Sequence, residues 1–262
     1  VEKTLEKWTS QSSQSSQAAI STIGSVPHLP HGLDRQVFHP RLRDAARRTF
    51  FPRVSLGLSQ IPLQPDQILL AMTATNSSRK SWETFFSSAA ELVHRGRNIF
   101  LWGHTDALQP STVNPAVCWN LPALARQYGM QNRCCLTTAR LTDEDLAWAF
   151  SAADVAVALS SEGFGYFPFE ALACGLPVAG TSYAGSAEFT PASMRITPMA
   201  YASEQPFGIQ RPIYADGDVA DRIEAILDSG YTHEASLLDS GYEWENLWPE
   251  WSEWLRKGVE QR

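Results

Sequence analysis

From Ile68 onward the sequence alternates between two hydrophobic periods, and that alternation leaves few folds open to it. Ile68–Thr73 is an apolar run of strand length. Trp82, Phe85, Phe86, Ala89, Leu92 and Val93 follow at helical spacing, with Ser81 as a candidate cap and Gly96 as the stop. Ile99–Trp102 reads as a second strand, Leu121–Tyr128 ended by Gly129 as a short helix, and Arg133–Thr137 as a third strand. Thr142 with Asp145 forms a capping pair ahead of a stripe of Leu146, Ala149, Phe150 and Ala153. Asp154–Leu159 is a buried strand, Tyr166–Cys174 a helix stopped by Gly175, and Pro177–Gly180 another strand. Asp218 is expected to cap a later helix with Val219, Ile223, Ile226 and Leu227 inward. Strands and helices that alternate through short connections predict an α/β fold, a doubly wound sheet of parallel strands with crossover helices. Ligands of such sheets bind outside the carboxyl ends of the strands. The loops to watch are therefore Thr75–Lys80, Thr137–Leu141, Ser160–Tyr166 and Thr181–Glu188.

The third of these loops carries the chemistry. Ser160–Val178 reads SSEGFGYFPFEALACGLPV; it follows a buried strand and opens a helix. Pro168 falls in the first helical turn, where its missing N–H breaks no intrahelical bond. Gly163 and Gly165 let the backbone approach a ligand closely, and the helix start offers unpaired N–H groups and a positive dipole end, which suits a phosphate. Glu162 lies on the loop and Glu170 about one turn into the helix. An ionised carboxylate only accepts hydrogen bonds, and its two oxygens can take both protons of a vicinal diol such as a sugar or ribose presents. The plainer reading is that a strand, a Gly-rich turn and a helix occur in many folds, and that Glu170 merely complements the helix dipole.

This segment resembles the E-x7-E signature of retaining glycosyltransferases with the GT-B fold, matched from Glu162 to Val178 as EGFG-x4-EA-x-ACG-x-PV. Pro30–Asp34 with Phe38 and Pro40 resembles the start of that family's second domain, Asp143–Val157 the approach to the motif, and Gly185 with Glu188 the Gly-Gly-x-x-Glu step after it. The similarity runs from about His28 to about Leu227, and Trp244-Glu245 resembles a terminal helix element. The resemblance implies a Rossmann-like donor-binding domain. By it, Glu162 contacts hydroxyls of the transferred sugar, the backbone of Gly163, Phe164 and Gly165 supports that sugar with Tyr166 beside it, and Glu170 holds the ribose diol. The family grips the diphosphate with an Arg and a Lys after the first strand. Here these are Arg79 and Lys80, adjacent where the family usually separates them, and Asn76 is a candidate for the vacant position. Cations at a helix start oppose its dipole, so a nearby anion makes better sense of them than plain exposure. The base is expected near Arg133–Leu141, with Thr137 and Thr138, neither of which selects uracil over guanine. A lone histidine is more often structural than a ligand, and His104 is not counted among the site residues.

The implied reaction is glycosyl transfer from a UDP- or GDP-linked sugar with retention of configuration, the leaving phosphate being neutralised by Lys80, Arg79 and the helix start. The Asp-x-Asp triplets, Asp143–Asp145 and Asp216–Asp218, fall at expected helix starts and are not read as a metal motif, so neither metal nor other cofactor is expected. The alternative is a non-catalytic nucleotide-sugar-binding or assembly subunit of a split enzyme; an epimerase or phosphorylase would need acid/base or cofactor residues not evident here. Net charge is −7, which disfavours nucleic-acid binding. The run Arg41, Arg43, Arg47, Arg48 and Arg53 reads as a solvated helix face. No apolar run is long enough to span a membrane. The four cysteines, none in a C-x-x-C pair, read as reduced thiols in a cytoplasm.

The expected organisation is residues 1–30 as a linker or the tail of an acceptor domain that is truncated or absent, 31–230 as the nucleotide-sugar-binding domain, and 231–262 as a helical segment. Residues 7–17 are polar and low in complexity, and VPHLPHGLDRQVFHP reads as a connection, not as core. The start, VEKTLEKWTS, looks like a cut or processed end, and an acceptor-domain subunit or oligomer partner is expected. Trp244, Trp248, Trp251 and Trp254 share one face of a helix flanked by Glu243, Glu245, Glu250 and Glu253, which favours packing on protein over a lipid surface.

Overall fold

The computed structural model describes residues 29–54, 63–110, 118–204, 209–231 and 234–260. The polar run 7–17 and the side chain of Arg53 lie outside the described residues. Six parallel strands form the main sheet: β1 (Ile68–Thr73), β2 (Ile99–His104), β3 (Cys134–Thr137), β4 (Val155–Ala158), β5 (Val178–Thr181) and β6 (Arg195–Ile196), in the order β3-β2-β1-β4-β5-β6. The order reverses between β1 and β4, the topological switch point of an open α/β sheet.

Helices cover both faces. The stripe of α2 (Trp82–His94) is fully buried at Trp82, Phe85, Phe86 and Leu92, and α2 packs against α3 (Leu121–Gln127) and α6 (Asp216–Asp228). On the other face α1 (Arg43–Val54) packs on α4 (Asp143–Ala152), which packs on α5 (Tyr166–Ala173). The Thr142 and Asp145 side chains form the expected capping box of α4. Two other caps differ from expectation. Ser81 takes a left-handed conformation (φ 55°) and makes no side-chain cap bond, because the chain enters α2 directly from a 3₁₀ turn, Ser78–Lys80. Helix α6 starts at Asp216, so Asp218 lies in its first turn and not at its cap.

The arginine run is corrected as well. Among the described side chains of α1 only Arg48 matches a solvated face; the Arg47 side chain is 9% exposed. Arg47 donates to the carbonyls of Ala152 and Gln67 and to the carboxylate of Asp154. Asp154 also pairs with Arg43 and accepts from the backbone N–H of Leu69, so one carboxylate ties α1 to β1 at the amino edge of the sheet. Arg41 stacks on Trp148 and pairs with Glu144. Part of the supposed connection is core: Leu33 and Phe38 are buried, and Leu33 bridges Glu243. An antiparallel hairpin, β7 (Ala200–Glu204) and β8 (Ile209–Ile213), was not anticipated from the sequence.

These elements form a compact unit, Gly32–Asn246. Helix α7 runs over Trp244–Glu260, and its first tryptophan lies against Gly32, where an added Cβ would come within 2.3 Å of the indole. In a separate small unit Trp251 donates to the Pro30 carbonyl, while Trp248 and Trp254 are exposed. Among the described residues no helix is long and apolar enough to cross a membrane.

Removing one partner of a buried, hydrogen-bonded ion pair costs about 3 kcal/mol or more, whereas an exposed substitution changes stability by about 0.5 kcal/mol. Arg47→Ala is therefore expected to lower the denaturant midpoint strongly and Arg48→Ala hardly at all. Equal midpoints for the two variants would contradict the anchoring role of Arg47.

Candidate functional site

A cleft of about 650 Å³ opens at the carboxyl ends of β1 to β5. All four loops singled out by the sheet topology contribute to its surroundings, and the loop after β2 joins them through His104, Thr105 and Asp106. At its centre stands Glu162, at the end of β4. Lys80 donates to Glu162 Oε1, Arg79 donates to Oε2 at 3.1 Å and to the Ser161 carbonyl at 3.0 Å, and the Ser160 hydroxyl donates to Oε1 at 2.8 Å. Lys80 is 8% exposed, far from the free helix-start cation that its sequence position allowed.

The charge states follow from these contacts. Burial pushes the Glu162 carboxyl up, but the hydrogen bonds from Lys80 and Ser160 and the charges of Lys80 and Arg79 outweigh it and hold it below the usual carboxylate range. Burial lowers the Lys80 ammonium, and Glu162 offsets only part of that. Glu170 behaves in the opposite way. It lines the same cleft from α5 with no side-chain partner among the described residues, and burial followed by the charge of Asp143 pushes it up to about 8.

The turn that carries Glu162 is shaped by close backbone contacts. Gly165 caps α5 at φ 100°, a conformation that a side chain would strain. Phe164 is wedged against Phe169 and Phe189, with ring centroids 4.7 and 5.3 Å away. Gly185 donates from its N–H to the Glu162 carbonyl at 3.0 Å, and a Cβ on it would fall 2.0 Å from the Gly163 oxygen. Glycine at 185 is thus required by the approach of two loops.

Phe164, Gly165, Tyr166, Glu170, Thr138, Lys80 and Glu162 all line the cleft, and Arg79 reaches its centre through Glu162. Three expected residues stand elsewhere. Asn76 is 1% exposed; its amide donates to the carbonyls of Ala107 and Trp119, and its oxygen accepts from the Trp119 N–H, so it locks a loop and offers nothing to a ligand. Thr137 is also 1% exposed, and its hydroxyl bonds Trp102 and His104 behind the cleft wall. Gly163 is exposed outside the lining, its carbonyl facing Gly185. Sequence reasoning missed Ser160, whose position two residues before Glu162 at a strand end was the available signal, and Asp106; it placed His104 at the crevice edge but set it aside as a lone histidine, whereas His104 lines the cleft. Burial raises the Asp106 carboxyl, but the Asn76 N–H and the Thr105 hydroxyl hold it below its ordinary value. Among the described residues no group of three or more His, Cys, Asp or Glu side chains could hold a metal ion.

A carboxyl raised on folding binds more protons in the folded than in the unfolded chain between its two pKa values. Stability therefore falls as pH rises through that window, by up to about 1.4 kcal/mol per pH unit for one group. With Glu170 at about 8, the window runs from the ordinary carboxylate range to pH 8. Denaturant unfolding is expected to show Glu170→Gln gaining stability over the unaltered chain progressively from pH 5 to pH 8 and matching it near pH 4. A difference independent of pH would refute the raised carboxyl.

A family model described as glycosyl transferases group 1 matches residues 67–198, half of the chain. No curated protein sequence matches it. Among solved structures the fold is similar to sucrose-phosphate synthase from Thermosynechococcus elongatus, with a TM-score of 0.65 and 21% identity over 92% of this chain and 54% of that one. It is similar to HepE of Anabaena, solved in complex with UDP and glucose, with a TM-score of 0.64 and 15% identity over 93% of this chain and 61% of that one. The C-terminal domain of a glycosyl transferase group 1 family protein, LpcC of Francisella tularensis, gives a TM-score of 0.55 and 16% identity over 80% of this chain and 95% of that one. The chain spans about half the length of the first of these, and at such identities the likeness is one of fold: a Rossmann-like parallel sheet flanked by helices, as in GT-B glycosyltransferases.

Proposed function

The chain belongs to the glycosyl transferases group 1 family, and from that membership we propose that it binds a UDP- or GDP-linked sugar and transfers the glycosyl group to an acceptor, with retention of anomeric configuration and without a metal ion. The observation that carries this reading is the cluster of Glu162 with Lys80 and Arg79 inside the cleft. The two cations share one carboxylate, which leaves a net positive charge. A nucleoside diphosphate brings several negative charges and competes for Lys80 and Arg79. The oxygens of Glu162 so released accept hydrogen bonds from hydroxyls of the donor sugar. Glu170 supports the other end of the donor, because a half-buried carboxyl without a partner suits a ribose diol.

As the glycosidic bond breaks, charge grows on the leaving diphosphate. Lys80, 8% exposed, acts on it where water screens little, and the start of α5 at Gly165 adds its dipole. Such groups do the work a divalent cation does elsewhere. Retention follows if the leaving phosphate takes the acceptor proton on the face it departs from, with no protein nucleophile. The E-x7-E spacing of Glu162 and Glu170 supports this. UDP is the first nucleotide to test, since HepE was solved with UDP and glucose. The partner of this site is taken to be an acceptor-binding domain or subunit. The free cysteines Cys134, Cys135 and Cys174, buried and pushed up by that burial, fit a reducing cytoplasm.

The test is calorimetric titration with UDP and GDP in chelator-treated buffer, beside transfer assays. Glu162→Gln frees Lys80 and Arg79 from their internal anion, so nucleotide affinity is expected to rise about tenfold, the scale of one charge-assisted hydrogen bond, while transfer is lost. Lys80→Ala is expected to lose about 2–4 kcal/mol of transition-state stabilisation. A Glu162→Gln variant that binds nucleotide less tightly, or a Lys80→Ala variant with unchanged kcat/KM, would remove these assignments.

A further inference from the structure

His104 ends β2 with its Cα opposite Thr73 of β1 on one side and Thr137 of β3 on the other. Its ring is held from two directions. Trp102, two residues back on the same face of the strand and fully buried, lies 6.1 Å away at an interplanar angle of 26°. The Thr137 hydroxyl lies 2.9 Å from Nδ1. That hydroxyl also receives the Trp102 indole N–H at 3.2 Å, and an indole N–H can only donate. Thr137 is 1% exposed, so its own hydrogen cannot go to water, and among the described residues the remaining partner is His104 Nδ1. Thr137 therefore holds the Nδ1 edge of the ring. Burial lowers the imidazole pKa and outweighs a hydrogen bond to the Thr137 backbone that raises it, so the ring is neutral. His104 lines the cleft, and its ring hydrogen bonds go to Thr137.

The sheet order says what lies in front of the ring. Along the carboxyl edge the strands run β3, β2, β1, β4, β5. Lys80 follows β1, and Glu162 follows β4. A donor with its sugar at Glu162 and its diphosphate at Lys80 has its nucleoside over β2 and β3. Glu170 agrees, since the charge it feels is that of Asp143, at the start of the helix that follows β3.

We propose that His104 is a specificity-determining contact for the nucleobase of the donor, the ring edge away from Thr137 hydrogen-bonding the edge of uracil or guanine, with Thr137 and Trp102 as positioning residues that hold the ring. The inference rests on the donor-site reading above. It turns Thr137 from a direct ligand into a residue that acts through the histidine. A neutral imidazole suits the edge of a base, whereas the diphosphate has its cations one strand away.

The experiment is titration of the unaltered chain, His104→Phe and His104→Gln with UDP, GDP and inorganic pyrophosphate, with the unfolding midpoint of each variant checked. Phe keeps the ring packing and removes the hydrogen-bonding nitrogen; Gln returns a polar amide near the same position. His104→Phe is expected to bind the recognised nucleotide about 3- to 10-fold more weakly, the worth of one neutral hydrogen bond, with pyrophosphate unaffected and Gln recovering part of the loss. Equal nucleotide affinity in His104→Phe would overturn this inference and leave the donor site standing. A loss shared equally by pyrophosphate would overturn the base assignment in favour of a phosphate contact. Failure of the unaltered chain to bind any of the nucleotides would overturn the donor-site reading itself, and this inference with it.

Discussion

The contact on which the site depends is the one between Glu162 and the cations that arrive from another strand end. Lys80 and Arg79 leave β1, Glu162 leaves β4, and the two strands are 82 residues apart by the Lys80–Glu162 count yet hydrogen-bonded neighbours in the sheet. They adjoin only because the strand order reverses there. On either side of the switch point the crossover helices lie on opposite faces, so the loops above β1 and β4 part and leave a crevice. Opposite charges from the two loops meet inside it. The position of the site is thus a property of the topology, and its chemistry a property of three side chains.

Two carboxyls in one cleft are driven to opposite states by their neighbours. Burial raises both. Glu162 has Lys80, Arg79 and the Ser160 hydroxyl to reverse that effect, and Glu170 has only the like charge of Asp143. Glu162 is thereby a strong acceptor already engaged, which a ligand must free by competing for its cations. Glu170 is an acceptor that must first give up a proton. Ligand hydroxyls would meet one anion released by exchange and one created by deprotonation, so affinity is coupled to both the charge and the proton balance of the cleft.

Where the chain's own periodicity dictated structure, the sequence was readable. The Ile68–Thr73 run is buried through most of its length because both sheet faces are covered, and that is what a continuous apolar stretch means. The capping box at Thr142 and Asp145 is local and was legible for that reason. What escaped depends on partners remote in sequence. Arg47 looks solvated until Asp154, 107 residues on, arrives beneath it. Asn76 and Lys80 both follow β1, but only the fold shows that Asn76 turns to Trp119 and Lys80 to Glu162. Thr137 lies inside a strand, where its side chain faces a neighbour on the sheet, whereas Thr138 stands beyond the strand end in the cleft. The hairpin of β7 and β8 was hidden because Arg211 and Pro212 break any strand pattern, a composition tolerated where the pairing is two-stranded.

Strain follows the same geography. Among the described residues the only non-glycine residues with positive φ are Ser81 and Ala184, at 55° and 66°. Ser81 follows Lys80 directly, and Ala184 precedes Gly185, whose N–H holds the Glu162 carbonyl. Such conformations cost of order 1–3 kcal/mol each and persist only when their surroundings determine them. The surroundings do so here. Next to Ser81, the fully buried Trp82 donates its indole N–H to the Thr75 carbonyl, closing the loop that presents Lys80. After Ala184, Thr190 returns both its N–H and its hydroxyl to the Ser186 carbonyl. At the amino edge, where no ligand has to be accommodated, Asp154 joins Arg43, Arg47 and Leu69 without comparable distortion. The sheet is tied at one edge and held under strain at the other, and the strained edge is the one that keeps Lys80 within reach of Glu162.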